Sequence, residues 1–203
     1  MNRSPELIER AEDLLRSLPG PLAAHCRRSA AVAVEMAERF GVDRADAELA
    51  ALLHDFARDV PEADSVRLAD ELGVPMTAFE TAHPMLLHAR IGAAMVRREL
   101  PGVGEAVLSA ISAHTVGAVP MSDLDRIVYI ADAIEPGRDY PGVDEVRAAC
   151  SASPLAECFR LVYGRSMRHV LERGRPLHPI SAAVGASIER ETGRALFDPA
   201  AVA

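Results

Sequence analysis

Apolar residues recur along this chain at spacings of three and four and almost nowhere alternate with polar ones, which predicts helix after helix and no sheet. Ser4 as N-cap and Pro5 at the first helical position open a helix. Its stripe Leu7, Ala11, Leu14, Leu18 stops before Pro19-Gly20-Pro21. A second helix is expected from about Leu22 to Phe40, ending at Gly41, and a third from about Arg44 to Phe56. Pro61 opens a fourth that stops at Gly73, and after a loop through Pro75 a fifth runs from Pro84 to about Leu100, where Pro101-Gly102 breaks it. Helices at Gly104 to His114 and Ser122 to Glu135 follow, with a loop from Thr115 to Met121 between them. Pro136 to Pro141 reads as irregular. Shorter helices are expected near Val143 to Ala149, Leu155 to Arg173 and Ile180 to Thr192, then a frayed tail from Ala195 to Ala203. The expected fold class is all-α.

Composition narrows the picture. At 203 residues, 49 % of them hydrophobic, the chain can bury one substantial core and is expected to be a single domain over 1–203, with no linker or repeat to divide it. No stretch approaches the roughly 20 apolar residues of a membrane span, and the N-terminus lacks a secretory pattern, so a cytoplasmic location is expected. Cys26, Cys150 and Cys158 have no metal-motif spacing and are expected to be reduced and buried. A net charge of −8 argues against long nucleic acids and anionic membranes as partners. A small anion needs only a local positive cluster. Every basic residue is Arg, whose fork suits phosphate.

Candidate chemistry starts at His54-Asp55, which closes the apolar run Ala50-Ala51-Leu52-Leu53 where packing alone would favour another Leu or Ala. Positions three and four apart share a helix face. On that rule His25 lines up with Ser29, Val32 and Met36, His88 with Ile91, Gly92 and Met95, and His114 with Val107, Ala110 and Ile111. Asp132 follows Val128 by four, at the inward edge of its stripe. Any one of these alone is most simply a core histidine bonded to a carbonyl, or a helix-end carboxylate. Six inward titratable groups need a shared partner, since each buried alone would cost several kcal/mol. Their nitrogen and oxygen atoms match the ligand set of first-row divalent cations.

The order H…HD…H…H…D resembles the HD-domain superfamily of metal-dependent phosphohydrolases. The segments Leu53-His54-Asp55-Phe56-Ala57-Arg58-Asp59, Leu86-Leu87-His88, His114-Thr115-Val116-Gly117 and Met121-Ser122 are similar to one branch, the bacterial YqeK-like symmetrical bis(5′-nucleosyl)-tetraphosphatases. So are Tyr129-Ile130-Ala131-Asp132-Ala133-Ile134-Glu135-Pro136-Gly137-Arg138 and Tyr140-Pro141-Gly142-Val143, which are far more specific than the dipeptide. The resemblance implies an HD-domain helical bundle whose metal-site core lies at about 20–140, with further helices at about 143–192. It implies two divalent or mixed-valence ions, commonly iron, with manganese or cobalt also suited, and hydrolysis of diadenosine tetraphosphate to two ADP. It places one ion on His25, His54, Asp55 and Asp132 and the other on Asp55, His88 and His114, with Asp55 bridging. Val116, Ala133, Arg58 and Phe56 stand where the branch often has Thr, an aromatic, Lys and Tyr; none removes a ligand.

Two such cations activate a water as nucleophile without a Ser or Cys, and the charge developing on a departing nucleoside diphosphate needs cationic or hydrogen-bond donors. Arg58, one turn past the HD pair, is the first candidate for that role, with Asp59 and Asp64 as rival surface partners. Arg138 is the second, with Asp139 as its rival. Arg28 beside His25, and Thr115 and Gly117 after His114, are further candidate substrate contacts. His83 is expected to have a surface or capping role, His169 to be solvated among Arg165, Arg168 and Arg173, and His178 is left unassigned. The rival readings are another HD nucleotide phosphohydrolase, such as a nucleoside monophosphatase or a guanosine-tetraphosphate hydrolase, and an idle nucleotide-sensing HD domain. A homodimer is allowed, and no oligomeric state follows from the residues.

Overall fold

A computed structural model of the chain describes residues 4–196 and contains, among them, eleven α-helices, one 3-10 turn and no strand. The helices are α1 (Ser4–Leu15), α2 (Gly20–Phe40), α3 (Arg44–Leu53), α4 (Glu62–Glu71), α5 (Ala78–Ala82), α6 (His88–Glu99), α7 (Glu105–Ala113), α8 (Asp123–Ile134), α9 (Val143–Ala152), α10 (Leu155–Glu172) and α11 (Ile180–Thr192). The 3-10 turn Pro84–Leu87 leads into α6. The all-α expectation is met.

At the centre, α3 packs against α1, α2, α7 and α8, while α8 also meets α2, α7 and α10. Helices α2 and α3, which pack together, both bring small buried side chains to the core, Ala30, Ala33 and Ala37 from one and Ala47, Ala50 and Ala51 from the other. Around them Leu53, Ile111, Ile127, Ile130 and Tyr163 are fully buried. A smaller apolar cluster of Ala57, Ala69, Leu87 and Ile91 lies under α4 and the start of α6.

Helix ends follow local chemistry. Asp43 caps α3 by accepting from the Asp46 amide at 2.9 Å. Ser122 and Asp125 form a capping box at the start of α8, fixing the helix that carries Asp132.

Several expectations are corrected. The third helix stops at Leu53, because the chain turns sharply through residues 54–59 with amide bonds from Phe56 to Leu53 and from Arg58 to Asp55. His54 and Asp55 therefore sit on a turn at the helix end. Ser4 is already helical and is not the cap. The expected fifth helix is split, since the stretch from Pro84 is 3-10 as far as Leu87. The five-residue α5 was not expected, although Thr77 and Glu80 form its capping box. The tail is docked at its start: the Leu196 amide donates to Glu189 at 2.9 Å, and its side chain packs where Gly164 and Gly185 leave room. The rest of the expected frayed tail, 197–203, lies outside the described residues.

Candidate metal centre

Five segments deliver six side chains to one point: His25 from α2, His54 and Asp55 from the turn after α3, His88 from the first residue of α6, His114 from the end of α7 and Asp132 from the last turn of α8. His54 is fully buried, and Asp55, His88 and His114 are nearly so. Helix α6 runs close to the HD turn at Gly92, four residues after His88, whose Cβ position lies at ordinary contact distance, 3.6 Å from the Ala57 amide and 3.8 Å from the His54 carbonyl.

The two carboxylate oxygens of Asp55 face different histidines. Oδ1 is 3.2 Å from His88 Nε2 and 3.4 Å from His114 Nε2, while Oδ2 is 3.6 Å from His54 Nε2 and 3.8 Å from His25 Nε2. Asp132 Oδ1 completes the second group, 3.0 Å from His25 Nε2 and 3.6 Å from His54 Nε2.

The other ring nitrogens are committed elsewhere. Nδ1 of His54 lies 2.7 Å from the Ala51 carbonyl, that of His88 2.6 Å from Met85 and that of His114 2.8 Å from Ile111. A carbonyl only accepts, so each of these Nδ1 atoms carries the proton, and a neutral ring then turns a lone pair inward at Nε2. His25 Nδ1 is held likewise, 3.1 Å from the Glu135 carboxylate. Yet Nε2 of His25 approaches that of His54 at 3.1 Å, and Nε2 of His88 approaches that of His114 at 3.1 Å. Four inward lone pairs and two carboxylates in so small a space repel one another unless a positive charge lies among them. The donor set fits divalent cations on both sides of Asp55.

With the side chains alone, a proton on His54 supplies that positive charge. Burial works against a charged His54, but the Asp55 and Asp132 carboxylates outweigh it and raise the imidazole to about 9. Burial pushes Asp55 upward, and His54, His114 and His88 together hold it well below the usual carboxylate range. Asp132 is held low in the same manner by His25, His54 and Arg138. Desolvation lowers His114.

Against this cluster opens a cavity of about 580 Å³, lined by His25, Asp55, His88, His114, Thr115 and Asp132 and closed on other sides by Arg58, Arg138 and Met167 among others. Thr115 Oγ1 stands 3.2 Å from both His88 Nε2 and His114 Nε2. Arg58 is exposed on the cavity wall with no acidic partner among the described residues; its expected rival Asp64 pairs with Arg67 at 3.0 Å. Arg138 bonds the Asp132 carbonyl at 2.8 Å and also the Asp132 carboxylate, and does not pair with Asp139.

Two expected substrate contacts are corrected. Gly117 is buried at a φ of +82°, its amide donates to the Ala113 carbonyl at 2.9 Å, and Val184 and Tyr163 crowd its Cβ position, so it offers no free amide. Arg28 is drawn to the Glu135 carboxylate, with Nη2 at 3.1 Å from Oε1, and does not line the cavity. His83 is exposed against Phe79, and His169 is exposed and accepts from Arg173. His178 stacks edge-on to Phe79 and lies 3.8 Å from buried Glu80, away from the cluster.

Glu135 was missed. It is nearly fully buried and accepts from His25, Arg28 and the Gly137 amide, which hold its carboxyl at about 2 against the upward push of burial. Its place three residues past Asp132, at the close of the same stripe, was the available signal.

The HD domain family profile matches residues 22–137. The chain belongs to the HD-domain family. It is 36 % identical over 147 residues to a Bacillus subtilis protein named bis(5′-nucleosyl)-tetraphosphatase, symmetrical, covering 72 % of this chain and 78 % of the relative. A Halalkalibacterium halodurans protein of the same name is 35 % identical over 153 residues, covering 74 % and 80 %. The HD domain also matches a crystal structure from Clostridium acetobutylicum, described as a "predicted HD superfamily hydrolase involved in NAD metabolism". The TM-score is 0.80 at 30 % identity, with 86 % of this chain and 92 % of that one covered. The similarity to symmetrical tetraphosphatases seen in the sequence is thus matched by named relatives over most of the chain. Among the described residues, no helix is long and apolar enough to cross a membrane.

Proposed function

We propose that this HD domain, taken as a single domain over the whole chain, hydrolyses diadenosine tetraphosphate symmetrically to two ADP. The observation that carries the reading is the split Asp55 carboxylate, one oxygen toward His25 and His54 and the other toward His88 and His114, in a chain about one-third identical to enzymes named for this reaction. His25, His54, Asp55 and Asp132 would hold one cation and Asp55, His88 and His114 a second. Iron is the proposed metal, with manganese or cobalt able to replace it. Bound there, such a pair lowers the pKa of water toward neutrality and neutralises phosphoryl oxygens.

The side chains supply the rest. Water adds to one inner phosphorus, the bond from it to the central bridging oxygen breaks, and that oxygen leaves on the second ADP. Arg58, uncommitted at the cavity wall, faces the charge gathering on the departing diphosphate. Thr115 places a hydroxyl beside the His88 and His114 ligands, where it can donate to a phosphate oxygen. Arg138 keeps Asp132 in place and turns part of its guanidinium to the cavity. The protein is proposed to act in the cytoplasm on a free dinucleoside polyphosphate.

The test is a product analysis across iron, manganese and cobalt. ADP as sole product from diadenosine tetraphosphate supports the reading; AMP plus ATP, or no turnover with any metal, overturns it. Asp55→Ala is expected to lose both bound metal and turnover. Full metal occupancy with unchanged turnover in that variant removes the bridging role.

A further inference from the structure

A second cavity, of about 710 Å³, opens beside the first between the loop after α8 and the outer face of α10. The two share Asp132, Ala133, Arg138, Ser166 and Val170, so the second begins where the metal-facing one ends. None of the chemistry above uses it. Its size lies within the roughly 300–1,000 Å³ usual for small-molecule sites.

Its walls are basic in a chain of net charge −8. Arg165 and Arg168 come from α10, Arg173 from the residue just past it and Arg138 from the junction, against Glu172 and Asp132 as the opposing charges. Arg165 has no acidic partner among the described residues and lies over the Tyr140 ring, 4.9 Å from its centroid. Tyr140 is itself fixed, its hydroxyl donating to the Ala133 carbonyl at 3.0 Å. The Arg173 side chain donates to the ring of exposed His169 at 3.1 Å and has no acidic partner among the described residues. A fixed aromatic ring beside a guanidinium plane, next to further cations, suits a flat base carried on an anionic chain. An isolated phosphate would have no use for the ring, and an apolar ligand none for the arginines. Ala133, with its small side chain, lines both cavities.

We propose that this second cavity seats the distal nucleoside diphosphate of the substrate, the arm beyond the bond that is cut, while the first holds the reacting phosphates and the near arm. The assignment rests on the reading of the chain as a dinucleoside tetraphosphatase. Arg165 and Arg173 are specificity-determining groups here: they line the second cavity and not the metal-facing one where the bridging oxygen gathers charge, so they hold the distal arm about equally in ground and transition states and their loss is felt chiefly in KM.

The experiment uses metal-loaded full-length protein, the Arg165→Ala/Arg173→Ala variant and, as a charge reversal, Arg173→Glu, with melting curves confirming that each is folded. ADP binding is followed by calorimetry, and diadenosine tetraphosphate kinetics are measured in parallel. Wild type is expected to bind two ADP per chain and the double variant one, with KM raised about tenfold or more and kcat nearly unchanged. One ADP in wild type, or two in the double variant with unaltered KM, overturns the assignment. Hydrolysis by wild type with no response in either variant sinks this cavity's role alone. Two-site ADP binding by a wild type that does not hydrolyse the substrate sinks the activity and leaves the cavity a nucleotide site.

Discussion

Glu135 joins three parts of the site through one buried carboxylate: it fixes the proton of His25 on Nδ1, anchors Arg28 and holds the backbone of the loop after α8 at Gly137. Partners of this kind, behind a ligating histidine, commonly affect metal affinity by about 10–100-fold. Glu135→Gln is therefore expected to weaken the His25 side selectively, with metal content falling from two ions per chain toward one while the His88–His114 side stays loaded. Metal analysis after gel filtration checks this, and two tightly held ions in the variant would show that Glu135 does not orient His25. At this scale the sequence was informative where a residue had to be explained against its own stripe. His25, His54, His88 and His114 each interrupt apolar positions, and the structure brings all four together with Asp55 and Asp132. Glu135 closes a helix before Pro136, where a carboxylate is unremarkable, so its place three residues past Asp132 was a weak signal that the partner 110 positions earlier explains. Arg28 and Gly117 were misplaced for the complementary reason: their neighbours in sequence are site residues, but their own hydrogen bonds lead away.

Among the elements, the contact of α6 with the HD turn limits what can stand at position 92. The space at Gly92 admits a methyl at ordinary contact distance, 3.6 Å from the Ala57 amide, and no more. Gly92→Ala should retain metal binding and gain up to about 1 kcal/mol from helix propensity. Gly92→Leu should push α6 outward and cost about 1–3 kcal/mol by overpacking, with loss of the His88 side of the centre. Thermal melts and metal content of the pair decide it, and a fully loaded Leu variant would disprove the constraint. A second element, α5, depends on Glu80, which is buried and held below its usual 4.5 by Thr77 and Arg90 despite the opposing effect of burial. A carboxylate with a depressed folded pKa adds stability above its unfolded pKa and loses it as pH falls through the folded value. The melting-temperature gap between wild type and Glu80→Gln should thus be full at neutral pH and shrink below about pH 4.5. A gap that does not change with pH would mean that the ionised form contributes nothing. Long periodic helices such as α2 and α10 were legible from spacing and breakers. A five-residue helix has no period to read, and α5 was visible only as the Thr77–Glu80 capping pair.

Over the whole molecule, the order of helices was legible because Pro and Gly mark most of its junctions, whereas the course of the C-terminal end was not. Leu196 occupies space made by two glycines on different helices, Gly164 and Gly185, a relation that no local pattern encodes. Charge is distributed unevenly as well. A chain of net charge −8 gathers Arg58, Arg165 and Arg173, none with an acidic partner among the described residues, and Asp132-bound Arg138 around two joined cavities. The split carboxylate of Asp55 also bears on folding. Its two oxygens face imidazoles carried by segments that meet only in the finished fold, from His25 in α2 to His114 at the end of α7. The proposed cations would each act as a staple between distant stretches of chain, with Asp55 as the rivet common to both. Ligand-linked stability then makes metal supply a determinant of how long the protein survives as well as how fast it works.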